Sequence, residues 1–206
     1  MAKPKTDSLS GKVGKAITGT FSLDKFKAGK NLGQSTSNFK PQAWIKFSEP
    51  VSEMLEMPGI PKGHITLVRG HSNTGKTTLL IETAIEAQKT GVLPIIIITE
   101  MKHSWEHWSA MGFDLGESID EDGNKSYDGF FLYADREQLQ SIEDVAAFIA
   151  DLLDEQKKGN LPYDLLFLWD SIGSIPCQMS LDKNTNSPMW NAGAMSQQFS
   201  NFINQR

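Results

Sequence analysis

The sequence predicts an α/β fold, with a mostly parallel, twisted sheet and helices on both of its faces. Short apolar runs alternate along the chain with segments of helical period, which implies strand–helix–strand crossovers. The run PIIIIT at 94–99 is apolar almost throughout, as expected of a parallel strand that is covered on both faces. A glycine-rich segment, GHSNTGK at 70–76, joins another apolar run to a helical pattern.

Composition and charge divide the chain into two parts. The 206 residues, of which 39% are apolar and 22% charged, suit one globular domain with an extension. The net charge is −5, but residues 1–40 hold eight lysines and two aspartates, or +6, which leaves −11 for the rest. We therefore expect a basic flexible arm at 1–40, with a short ordered piece around 21–26, and a folded core at 41–206. The arm either meets nucleic acid or an acidic surface, or is a solvated leader.

Cysteine usage and hydropathy indicate the compartment. Cys177 is the only cysteine, so no internal disulfide can form, which fits a reducing environment. No apolar run approaches the 18 or so residues that a membrane helix needs, and the N-terminus lacks the pattern of a signal peptide. The sequence therefore predicts a cytoplasmic protein without a membrane segment.

The first part of the core contains the strongest turn and cap signals. Gly91 is expected to end a helix with a left-handed C-terminal cap. The elements before it are predicted in this order: a turn at 58–63, a strand at 64–69, a loop at 70–76 and a helix from Thr77 to about Lys89.

The second part of the core continues the alternation. Ser104 is placed to cap a short helix at its N-terminus. The predicted elements are a strand at 94–99, a helix at 104–111, an acidic loop at 114–128, a strand at 130–133, a helix at 137–157, a strand at 165–169, a polar loop from Pro176 to about Pro188 and a helix at 190–204.

The glycine-rich segment matches the pattern G-x-x-x-x-G-K-[ST] at Gly70, Gly75, Lys76 and Thr77. Glycines let backbone N–H groups approach phosphate oxygens, and the first turn of the next helix adds unpaired N–H groups and a positive dipole end. Lys76 supplies a mobile positive charge for β- and γ-phosphates, and the Thr77 hydroxyl suits Mg²⁺. The alternative is a glycine-rich turn that matches by chance.

Two acidic residues follow predicted strands. Asp170 ends LLFLWD, where a carboxylate would hold Mg²⁺ or its water shell, with Ser171 in the same hydrogen-bond network. Glu100 ends PIIIITE and would deprotonate a water near the γ-phosphate. The carboxyl ends of parallel strands share one edge of the sheet, so both acids are expected beside the glycine-rich loop. The alternatives are helix-capping roles or, for Glu100, a surface charge.

With these motifs, residues 44–206 resemble the ATPase core of the RecA family of recombinases, nearest to its phage UvsX-type branch. The resemblance rests on the lead-in EPVSEMLEMPGIPKGHITLVRG, the segment at 70–78, Glu100 with its spacing to Gly112, DSIGSIP at 170–176, and the stretch SPMWNAGAMSQQFSNFINQ. It implies a P-loop NTPase fold of RecA type that is C-terminally incomplete, because the family's core continues past the helix that ends near Arg206.

The resemblance implies a DNA-dependent ATPase that binds ATP and Mg²⁺ between subunits, forms a helical filament on single-stranded DNA and pairs it with homologous double-stranded DNA. Glu100 and Lys76 would be catalytic, and Thr77 and Asp170 would hold Mg²⁺. The implied nucleotide contacts are Gly70, His71, Ser72, Asn73, Thr74, Gly75, Lys76, Thr77, Thr78, Asp170, Ser171 and His107.

The resemblance also implies that the loop at 177–189 faces DNA. Lysine and amide side chains suit the phosphate backbone, and Met or Trp can stack on bases or wedge between them. The implied contacts are Lys183, Asn184, Asn186, Met189 and Trp190. The alternative is a connector with Trp190 packed in the core.

The chain departs from the family where an Asp and an aromatic residue would contact adenine. Ser104 and His107 occupy those positions, and the flanking Trp105 and Trp108 either stack on the base or belong to the core. The other histidines have no metal-ligand spacing, so no zinc site is predicted. Two further functions share the motifs: a helicase-type or circadian-clock-type motor ATPase, and a non-catalytic filament or accessory protein braced by nucleotide.

Overall fold

The computed structural model describes residues 41–100, 103–121, 123–185 and 187–204, and the architecture below is that of the unit at 43–206. The basic arm at 1–40, its expected ordered piece and Asn186 lie outside the described residues. The strands are β1 Trp44–Lys46, β2 Gly59–Pro61, β3 Leu93–Ile98, β4 Glu117–Ile119, β5 Lys125–Tyr127, β6 Leu132–Asp135 and β7 Leu165–Asp170. The helices are α1 Glu49–Leu55, α2 Lys76–Lys89, α3 Trp105–Ala110, α4 Ile142–Lys158, α5 Gln178–Asp182 and α6 Pro188–Asn204.

A parallel three-stranded sheet in the order β6-β3-β7 forms the centre of the fold. The register places Ile98, the last residue of β3, opposite Asp135 of β6 and Asp170 of β7. The three carboxyl ends therefore lie at one edge. The α/β class with a parallel sheet and helices is confirmed.

Alternate residues of β3 pack into two different core clusters. Ile96 and Ile98 join a cluster with side chains of α2, including Ile81. Ile95 and Ile97 join a second cluster with side chains of α4, including Val145. Every residue of β3 is buried. This burial on both faces explains why its sequence is a continuous apolar run rather than an alternating one.

Two helices, α3 and α4, begin at side-chain caps. Ser104 accepts a hydrogen bond from the His107 N–H, as predicted. Helix α4 begins at Ile142 instead of the predicted 137, because Ser141 forms a reciprocal capping box with Asp144. The Asp135 carboxylate accepts from the Glu137 N–H at 2.9 Å and so holds the preceding residues in a turn. Gly91 follows the last turn of α2 with φ of 73°, consistent with the predicted cap.

The strand predicted at 64–69 is absent: these residues have no regular secondary structure. Ile65 and Leu67 are 50% and 68% exposed. A strand needs a neighbour that satisfies its backbone N–H and C=O groups, and none of the described strands pairs with this segment. The prediction was therefore wrong, because it relied on local hydropathy.

Two predicted loops contain short elements. The acidic loop holds an antiparallel hairpin of β4 and β5, in which Lys125 pairs with Glu117 at 2.7 Å. The polar loop after β7 holds the short helix α5. No helix in the described part of the chain has both the length and the apolar character needed to cross a bilayer.

Candidate functional site

The glycine-rich segment leads directly into α2. Gly75 is the N-cap residue with φ of 87°, a left-handed conformation that glycine adopts without a Cβ penalty. The structure records no side-chain cap hydrogen bond at this helix start. The first N–H groups of α2 therefore remain available to an anion, and the positive end of the helix dipole adds to the attraction.

Lys76 lies across the same segment. Its Nζ donates to the His71 carbonyl at 2.7 Å, and the Thr74 hydroxyl donates to that carbonyl at 2.8 Å. An ammonium has three N–H donors, so this bond leaves it able to bind a further acceptor. The arrangement keeps a positive charge beside the start of α2.

The end of β7 contacts the start of α2. The Thr77 hydroxyl donates to Asp170 Oδ2 at 2.8 Å, although the two residues are far apart in sequence. The Ser171 hydroxyl donates to Glu100 Oε1, also at 2.8 Å. These two hydrogen bonds link the first turn of α2 to the end of β7, and the residue after β7 to Glu100, just beyond the end of β3.

A pocket of about 460 Å³ opens at this edge. Its lining combines predicted site residues with residues that the sequence did not indicate as ligand contacts. They are Thr77, Ile98, Glu100, His103, Ser104, His107, Trp108 and Asp170. Of the other predicted nucleotide contacts, residues 70–76, Thr78 and Ser171 are not among those that line this pocket.

A buried threonine fixes the tip of β7. Thr99 is fully buried, and its hydroxyl donates to the Ser171 carbonyl at 2.8 Å and accepts from Trp169 Nε1 at 3.0 Å. The Thr99 N–H donates to the Asp170 carbonyl at 2.9 Å. This network holds the backbone that carries Asp170 and Ser171. Sequence analysis missed it; the available signal was a polar residue directly after an apolar strand.

Aromatic residues form one wall of the pocket. His103 packs edge-on to Trp105, with ring centroids 4.4 Å apart, and lies 5.7 Å from Trp108. Trp108 is only 2% exposed, so it is both a core residue and a pocket wall. Burial, with the neighbouring Asp135 carboxylate, raises the pKa of Tyr133 to about 12, so this ring stays neutral. Trp108 is thus a core residue that also lines the pocket, and Trp105 packs against the same core cluster.

His103 predicts a pH dependence of stability. Its Nε2 is buried without a hydrogen-bond partner, and burial lowers its pKa below 6.5, although Asp170 and Glu106 oppose the shift. Because the folded state disfavours the charged form, stability should fall as pH drops through about 6.5, the unfolded value, until the pH is below the folded pKa. We expect His103→Leu to flatten this slope in urea unfolding measured between pH 5 and 8.

The control for this prediction is His64→Leu, which removes an imidazole that is exposed. It should leave the slope as in the parent chain. Equal slopes in the parent chain and His103→Leu would contradict the assignment.

The residues at the pocket suit a magnesium–phosphate ligand. Thr77 and Asp170 offer hard oxygen donors at the start of α2. Mg²⁺ in phosphate-transfer sites is bound by one or two protein oxygens together with phosphate oxygens and water. The described residues contain no cluster of three His, Cys, Asp or Glu side chains able to hold a metal alone. At Thr77 and Asp170, Mg²⁺ would therefore need further oxygens from phosphate or water to complete its coordination.

The loop expected to face DNA follows β7 in the chain, and none of its residues is among those that line this pocket. Lys183 Nζ lies 4.8 Å from the centre of the Trp190 ring, a cation–π contact. Trp190 also packs against the core cluster that contains Ile95, whereas Met189 is 76% exposed. Asn184 is exposed at the end of α5. The geometry therefore combines a core role for one face of Trp190 with an accessible lysine and methionine.

Comparison with known proteins finds partial similarity to RecA, and no protein-family model matches the chain. Over 84 residues, 41% of this chain, it is 29% identical to Protein RecA of Chlorobium chlorochromatii and covers 24% of that protein. Over 106 residues, 49% of the chain, it is 26% identical to Protein RecA of Ureaplasma parvum and covers 32% of it. The matches thus span a quarter to a third of the length of these relatives, and they support a distant relation to RecA proteins.

Proposed function

We propose that this chain is the ATP-binding and ATP-hydrolysing core of a RecA-type P-loop NTPase. The observation that carries the proposal is the hydrogen bond of Thr77 to Asp170, with Glu100 held beside it by Ser171. A phosphate-binding helix start, a hydroxyl and two carboxylates on one pocket are what cleavage of a terminal phosphate requires.

Each side chain has a distinct task in this proposal. The first N–H groups of α2 and Lys76 bind and orient the phosphates. Thr77 and Asp170 hold Mg²⁺, which neutralises charge on the phosphates when bound. Glu100 accepts a proton from the attacking water, and Ser171 orients its carboxylate. His107, Ser104 and Trp108 face the base or ribose from the wall of the pocket.

The wider role that we propose is recombination. The partial similarity to RecA proteins and the motif resemblance support a cytoplasmic, DNA-dependent ATPase, nearest to the phage UvsX-type branch. It would assemble as a filament on single-stranded DNA and pair that strand with a homologous duplex. The DNA stimulation of ATP turnover and the formation of joint molecules test this wider role. A lack of stimulation would favour a nucleotide-braced accessory protein, and coupled unwinding would favour a motor.

Nucleotide binding is the direct test of the proposal. We expect Lys76→Gln to weaken Mg²⁺–ATP binding by about 10- to 100-fold, because a charge-assisted bond to phosphate is lost. Binding would be measured by titration calorimetry on the whole chain. Lys89→Gln is the matched control, since it removes the same charge at the other end of α2, where Lys89 pairs with Glu86. Failure of the parent chain to bind ATP, or equal affinity in Lys76→Gln, would overturn the proposal.

A further inference from the structure

A second pocket, of about 400 Å³, lies at the carboxyl edge of the sheet and shares no lining residue with the first. Four parts of the chain build it: the residue after β6, the turn after β7, the segment around α5 and the first turn of α6. The lining residues on which the inference depends are Arg136, Ser174, Asn184, Thr185 and Asn191. They are polar or charged, and none of them is a carboxylate.

Arg136 is the cationic residue of this pocket. The chain has only three arginines, and this one directly follows β6 with its side chain exposed. It makes no ion pair with any of the described residues. The adjacent carboxylate, Asp135, is already occupied by the N–H groups of Glu137 and Gln138 and by the Tyr133 hydroxyl. A planar guanidinium without a carboxylate partner suits a phosphate, which it can bind through two parallel N–H donors.

The surroundings favour a polymer over a small anion. Lys183, next to the lining residue Asn184, carries a second positive charge against the Trp190 ring. Met189, which precedes Trp190 in the chain, is 76% exposed. Positive charges with amide groups and an aromatic or apolar surface form the combination that binds single-stranded nucleic acid, because the backbone is anionic and every base has a stacking face.

We infer that Arg136 binds a phosphodiester of single-stranded DNA in this second pocket, with Lys183 binding a neighbouring phosphate. The inference rests on the proposed function for the class of partner, and it adds a binding residue from outside the loop at 177–189. It does not depend on nucleotide binding at Lys76, because the two pockets are lined by different residues.

The experiment compares labelled oligothymidine binding to the whole chain, by fluorescence anisotropy, over a range of salt concentrations. We expect Arg136→Gln to weaken binding about tenfold and to lower the salt slope by about one, because one phosphate contact is lost. Arg136→Lys should keep the slope, because it keeps the charge. Lys157→Gln removes an exposed charge near the end of α4, at the opposite edge of the sheet, and should behave as the parent chain.

Separate readouts distinguish this inference from the proposed function. Mg²⁺–ATP binding should be unchanged in Arg136→Gln, and its absence in the parent chain would defeat the ATPase proposal alone. An oligothymidine affinity and salt slope equal to those of the parent chain would overturn the assignment of Arg136, as would a parent chain that binds no oligonucleotide. Displacement of the oligonucleotide by inorganic phosphate at equal concentration would also overturn it, because the pocket would then be a small-anion site.

Discussion

Replacing Glu100 with Gln is expected to lower ATP turnover by about 10²- to 10⁴-fold, the range that a positioned general base contributes. The amide keeps the shape of the side chain and can still accept from Ser171, whose hydroxyl lies 2.8 Å from Glu100 Oε1. It cannot take a proton from water at neutral pH. Phosphate release under saturating Mg²⁺–ATP, with and without single-stranded DNA, measures the effect.

Binding separates a catalytic role from a structural one. Because Thr77, Lys76 and the start of α2 are unchanged, Glu100→Gln should bind Mg²⁺–ATP as the parent chain does. Glu53→Gln, an exposed position on α1, is the matched control and should leave turnover unaltered. Turnover in Glu100→Gln equal to that of the parent chain would remove Glu100 as the base.

The parts of the fold that the sequence predicted best are those whose signal is local and unambiguous. Strands β3 and β7 lie within one residue of their predicted positions, because continuous aliphatic runs have few alternatives to a buried strand. Their carboxyl ends then had to share an edge, which brought Glu100 and Asp170 into one site. The proximity of Glu100 and Asp170, which are far apart in sequence, thus follows from the parallel order of the strands and not from a local motif.

Where the structure differs from the prediction, the chain had more than one possible local conformation, and tertiary packing selected among them. Helix α4 could have begun at the turn that follows Asp135 or after Ser141. The capping box at Ser141 favours the later start. The apolar run at 64–69 has strand character, yet none of the described strands pairs with it. His103 and Trp108 became pocket walls through the orientation of α3 against the sheet, which depends on tertiary packing.

Replacing Ile95 with Ala is expected to destabilise the fold by about 2–5 kcal/mol, through lost burial and the cavity that remains. Ile95 is fully buried in the central strand, opposite Leu132 on one side and Phe167 on the other. A loss of that size is a large share of the roughly 5–15 kcal/mol that stabilises a typical domain. Urea unfolding followed by circular dichroism would measure it.

The same substitution at Ile119 isolates the effect of burial. Ile119 lies on the β4–β5 hairpin and is 63% exposed, so Ile119→Ala should change the free energy of unfolding by no more than about 0.5 kcal/mol. The difference between the two variants then reports the packing of β3 alone, since both lose the same atoms. If Ile95→Ala were no less stable than Ile119→Ala, β3 could not be the buried centre of the sheet. The shared edge that joins Glu100, Asp170 and Thr77 would then lose its physical basis.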